Sequence, residues 1–119
     1  MRPAIKGVVI RPDCTYEIKT FADVTDYSNA VEGFITTVPF YNFDGKPIAL
    51  GYVDDEGILK RLPLNPLGSA LSFLFGNTPY LAGNLVIVGN PDDEGFETDI
   101  PEYLLSLTQN VCDGSKLEA

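Results

Sequence analysis

Between Gly83-Asn84 and Gly89-Asn90-Pro91 lies Leu85-Val86-Ile87-Val88, the strongest strand signal in the chain. A short, unbroken apolar run rich in β-branched residues and bounded by turn residues belongs inside a sheet. The remaining segments must therefore be arranged around a strand that is central in that sheet.

The segments before it supply partners. Ala4 to Ile10 is apolar and β-branched, and Arg11-Pro12-Asp13-Cys14 has turn chemistry. Thr15 to Phe21 then alternates, with Tyr16, Ile18 and Thr20 on one face and Glu17 and Lys19 on the other, so the first two strands form a hairpin. Asp23 is placed to cap a short helix carrying Val24, Tyr27, Ala30 and Val31 at helical spacing, with Gly33 as its left-handed stop. Phe34 to Phe40 is the next strand, with Phe34, Thr36, Val38 and Phe40 on one face. After the Asn42 to Pro47 turn, Ile48 to Val53 and Ile58 to Leu62 read as two more strands joined by Asp54-Asp55-Glu56-Gly57.

Asn65-Pro66 sets a capping side chain before a proline at the first helical position, and Leu67, Ala70, Leu71 and Leu74 follow at helical spacing up to Gly76. With Phe73 and Phe75 partly off that stripe, this helix is apolar around much of its circumference, which implies deep burial or a subunit contact. Thr98 or Asp99 caps a last helix with Ile100, Tyr103, Leu104 and Leu107 facing inward, and fraying is expected from Asn110. The order ββαβββαβα gives an α+β fold, a mainly antiparallel sheet with helices packed on it. Residues 1–113 form one domain, and 114–119 are expected to be a frayed or vector-derived tail.

Composition narrows the functional classes. The chain has 119 residues, long enough for one core without staples. It has no histidine, which removes the commonest neutral-pH base, Ser-His and Cys-His nucleophile pairs, and His-containing zinc sites. Cys14 and Cys112 read as reduced thiols. No apolar run is long enough to span a bilayer and the N-terminus lacks a signal-peptide pattern, so a cytoplasmic protein without a membrane partner is expected. The net charge is −9, and from Asn90 onward eight acids face a single base, Lys116. That balance argues against direct binding to nucleic acid.

The stretch from Val31 to Gly89 carries a set of features in a recognisable order: Gly33-Phe34-Ile35, Val38-Pro39, Val53-Asp54-Asp55-Glu56-Gly57-Ile58-Leu59, Leu62-Pro63, Asn65, the small Ala70, Gly83, Leu85 to Gly89, and Asp92-Asp93-Glu94. It resembles an uncharacterised family of small proteins, catalogued as a domain of unknown function and found mostly in phages, plasmids and their bacterial hosts. Family members often show a glycine pair after the first helix where this chain has Glu32-Gly33, so the turn there can differ. The resemblance implies a phage or mobile-element accessory protein and no catalytic residue.

The residues themselves offer several candidate sites. Asp54-Asp55-Glu56-Gly57 recurs as Asp92-Asp93-Glu94-Gly95. Clustered carboxylates suit a hard cation, but the same tetrapeptide suits a solvated turn, which is preferred. Asn65 is read as a cap, and of Lys60 and Arg61 one is expected to be solvated and the other paired with an acid. Phe40, Tyr41 and Phe43 with Phe73 and Phe75 are the expected partner interface, because neighbouring aromatics on a strand cannot all enter one core. Asp92, Asp93, Glu94 and Glu97 form the expected acidic surface. Taken together these predict a non-enzymatic protein without metal or cofactor, homo-oligomeric, that binds a host protein. The alternatives are a small-molecule sponge with a pocket between subunits, an acidic mimic of nucleic acid, and a carboxylate-dependent metal enzyme.

Overall fold

A computed structural model describes residues 4–117, with side chains described to residue 113. The elements are β1 (Ile5–Ile10), β2 (Tyr16–Phe21), α1 (Val24–Val31), β3 (Ile35–Tyr41), β4 (Pro47–Asp54), α2 (Pro66–Leu74), β5 (Leu85–Gly89) and α3 (Glu102–Leu117). The strands form one five-stranded antiparallel sheet in the order β2-β1-β5-β4-β3. The α+β class and the antiparallel sheet follow the reading of the sequence, and β5 is the middle strand.

β5 is buried along its whole length because both faces of the sheet are covered. Leu85 and Ile87 join Val8, Ile10, Val38 and Phe40 on one face, under Leu67 and Leu71 of α2 and Leu104, Leu105 and Cys112 of α3. Val86 and Val88 join Val9 and Tyr52 on the other, under Tyr27 and Val31 of α1. There Tyr27 stacks between Phe21 and Tyr52, with ring centroids 5.0 and 4.4 Å away. Alternation of side chains along β1 and β5 thus feeds two cores at once.

Four local expectations need correction. The strand over Ile58 to Leu62 does not form. Asp54 Oδ1 accepts the Glu56 N–H, and the Gly57, Lys60, Arg61 and Leu62 N–H groups bond to carbonyls three to five residues back. The backbone is satisfied locally and has no need of a strand partner. Glu32, not Gly33, takes the left-handed position after α1, at φ 61°. Gly33 is required for another reason: a Cβ there would collide with the Asp54 carboxylate.

Phe34 lies ahead of β3 and is exposed rather than sharing a face with Val38 and Phe40. Finally, neither Thr98 nor Asp99 caps α3. Asp99 Oδ1 accepts the Lys6 N–H of β1 and Thr98 Oγ1 donates to the Asn90 carbonyl, so the helix starts after Pro101. Its inner side carries Leu104, Leu105 and Thr108, Tyr103 is exposed, and the helix continues past Asn110 with Cys112 buried. Of the expected tail, 118–119 lie outside the described residues.

Candidate functional site

Two surfaces stand out. The first is built on α2. Asn65 has no exposed surface: its Oδ1 accepts the Gly68 N–H at 2.8 Å, capping α2, while its Nδ2 donates to Ile10 O and Gly83 O, each at 2.9 Å. The side chain therefore ties the helix start to the end of β1 and to the approach of β5. Gly68 keeps the helix close, since a Cβ there would meet Asn65 Cγ at 2.9 Å. So anchored, α2 turns Leu67, Gly68, Leu71 and Ser72 inward.

Its outward side consists of Pro66, Ala70, Phe73 and Leu74, all exposed and all apolar, with Phe73 at 67 % and Leu74 at 51 %. Leu64 and Tyr80, also exposed, flank it, brought near each other by the Leu64–Ala82 bridge and the Asn65 N–H to Leu81 O bond. No charged residue occurs anywhere from Leu62 to Pro91. Solvent-facing helix surfaces ordinarily carry charge, and an apolar one marks a contact surface.

The five aromatics expected at an interface divide. Phe40 belongs to the core, fully buried, because its face of β3 looks toward α2 and α3. Phe75 stacks on it at 5.7 Å and is half-buried. Tyr41 is half-buried, its N–H bonded to Phe75 O. Phe43, at the tip of the β3–β4 hairpin, and Phe73 are exposed. Of the set, Phe73 alone lies on the outer face of α2. Leu64, Leu74 and Tyr80 are further exposed apolar side chains of this segment, marked in the sequence by the uncharged run from Leu62 to Pro91.

The second surface is an open cleft of about 610 Å3 at the C-terminal end of α1, lined by Ser28, Asn29, Glu32, Gly33, Phe34, Glu56 and Lys60. Behind it Asp54 is buried and paired with Lys60 at 2.7 Å, leaving the ammonium partly exposed. That hydrogen bond holds the Asp54 carboxyl below its usual range and the Lys60 ammonium above its own. Both Asp54 oxygens are engaged, one by Lys60 and one by the Glu56 N–H. The pair is thus a structural clasp of the 54–60 turn, and Arg61, its neighbour at φ 59°, is exposed.

Asp92 does comparable work in its own loop, where Oδ1 accepts the Glu94 and Phe96 N–H groups. Asp92, Asp93 and Glu94 are exposed, while Glu97 accepts the Tyr52 hydroxyl at 2.6 Å and is part of the fold's support. Among the described residues no group of three His, Cys, Asp or Glu side chains is placed to hold a metal ion. No helix among them is long and apolar enough to cross a membrane, and Cys14 is a free thiol.

Residues 5–112 match the family described as a domain of unknown function, DUF3846, and the chain belongs to that family. No curated protein and no solved structure matches it significantly.

Proposed function

We propose that this DUF3846 protein works by binding another protein rather than by catalysis, and that the outer face of α2 makes the contact. The observation that supports this is the exposure of Phe73 and Leu74 on a helix with no charged residue. Buried aromatic and aliphatic anchors dominate protein interfaces. The partner's surface would offer an apolar recess for Phe73 and Leu74, since no charged residue occurs from Leu62 to Pro91. The phage or mobile-element setting implied by the sequence resemblance makes a host protein the natural candidate.

The test compares wild type with the double variant Phe73→Ser, Leu74→Ser as bait in host lysate, followed by native mass spectrometry. A partner held in fixed stoichiometry by wild type and lost by a variant of unchanged melting temperature supports the reading. A partner retained equally by both, or a stoichiometric low-mass ligand in place of a protein, overturns it.

The exposed Asp92, Asp93 and Glu94 favour a second reading, an acidic mimic of nucleic acid. It predicts a basic partner whose affinity falls steeply with salt and is lost on neutralising those three residues. Docking through α2 predicts a weak salt dependence.

A further inference from the structure

The two edges of the sheet are not alike. β3 is closed off at the far end of its free side: Pro39 has no N–H, its carbonyl accepts Asn77 Nδ2 at 2.9 Å, and the Tyr41 N–H is taken by Phe75 O at 2.7 Å. β2, at the opposite edge, has a strand neighbour on one side only. Exposed edges of this kind template further pairing.

The direction of β2's free backbone groups follows from its register. Arg11 N–H donates to Thr15 O, which continues the β1–β2 register in which Val9 faces Glu17, Gly7 faces Lys19 and Ile5 faces Phe21. Hydrogen-bonded and non-hydrogen-bonded pairs alternate in an antiparallel ladder. Glu17, Lys19 and Phe21 therefore direct their N–H and C=O inward to β1, and Tyr16, Ile18 and Thr20 direct theirs outward.

We propose that two copies of this chain pair antiparallel along β2, with the two-fold axis at Ile18, fusing their sheets into one. This register sets Ile18 opposite its own copy and Tyr16 opposite Thr20, all with outward-pointing backbone groups, so the ladder closes. It also sets Glu17 of each copy opposite Lys19 of the other, in a non-hydrogen-bonded pair where side chains approach most closely. Opposite charges in such a pair stabilise and like charges destabilise.

The neighbouring symmetric registers fail on this point. An axis at Glu17 sets carboxylate against carboxylate, and an axis at Lys19 sets ammonium against ammonium. Ile18, 44 % exposed in the single chain, is covered against its symmetry mate. The pairing lies along a strand edge and leaves the outer face of α2 open, so it stands whether or not α2 binds a partner.

Site-directed crosslinking tests the register. Facing residues of a hydrogen-bonded pair have Cα atoms about 5.5 Å apart, within disulfide reach. In a Cys14→Ser background, Ile18→Cys is expected to give a disulfide-linked dimer under mild oxidation, in large excess over Glu17→Cys or Lys19→Cys. Sedimentation velocity gives a second measure. Lys19→Glu and Glu17→Lys chains are each expected to dimerise roughly tenfold more weakly than wild type and to associate with one another when mixed. Ile18→Pro deletes an outward N–H without touching the β1 ladder and is expected to be monomeric with its circular dichroism intact. A wild type that is monomeric at about 100 µM, equal crosslinking at 17, 18 and 19, or a mixture no tighter than its components would overturn the proposal.

Discussion

Asp54 and Lys60 make stability depend on pH in a defined sense. The folded Asp54 carboxyl titrates below its reference value of 3.8, so its contribution is complete above that pH and is lost as pH falls through the folded value. Lys60 titrates above its reference of 10.5, so its share is complete below that and is lost only as pH rises through the folded value. Between the two references the clasp's contribution is flat. In Lys60→Met, Asp54 keeps its burial and loses its main stabilising partner, so its folded titration moves up toward the reference: stability at neutral pH is expected to fall and the acid-dependent loss to shrink. Urea midpoints across the acid range check this, and superimposable profiles for the two proteins would count against it.

Asn65 is the other residue on which much depends. Asn65→Ala removes the cap and the two bonds donated to Ile10 O and Gly83 O, a cost of roughly 3 kcal/mol. Asn65→Asp retains the cap oxygen but turns a carboxylate toward Ile10 O and Gly83 O, and is expected to be at least as damaging in the same denaturation assay. The cap was legible in Asn-Pro followed by helical spacing. The two donated bonds were not, because their acceptors lie 55 and 18 residues away and reach Asn65 only once the sheet is assembled. Gly33 shows the same limit, since its position after a helix suggests a left-handed stop and only the folded chain reveals the Asp54 carboxylate against it.

At the scale of elements, α2 separates packing from contact. Leu71→Ala on its inner side should cost about 3 kcal/mol, whereas Phe73→Ser on its outer side should shift stability by no more than ~0.5 kcal/mol. Thermal unfolding of the two variants gives the comparison, and a large loss in Phe73→Ser would mean that the outer face supports the fold. The elements read correctly from the sequence are those with a regular period and clear stops: the β1–β2 hairpin, α1 with its Asp23 cap, α2 and β5. Ile58 to Leu62 misled because it is a short segment with apolar ends bounded by Gly57 and Pro63, while what decides its shape is a side chain outside it, Asp54 reaching Lys60. The start of α3 misled in a similar way, as the β1 backbone at Lys6 claims the Asp99 oxygen that a local reading assigns to the helix.

Over the whole molecule, a net charge of −9 on so small a chain means self-repulsion. Raising salt should therefore raise the melting temperature, and the increment should shrink in Asp92→Asn, Asp93→Asn, Glu94→Gln, which keeps the Asp92 turn oxygen; an unchanged increment would show that this loop does not contribute. The topology carries a consequence for synthesis. No backbone ladder joins the β1–β2 hairpin to the β3–β4 hairpin except through β5, which lies between them. A nascent chain thus carries two unjoined hairpins at least until Gly89 has been translated, about three-quarters of the way along these 119 residues. The last strand to be translated is the one that turns two pieces into one sheet, and a message cut short before it yields a product with nothing to close around.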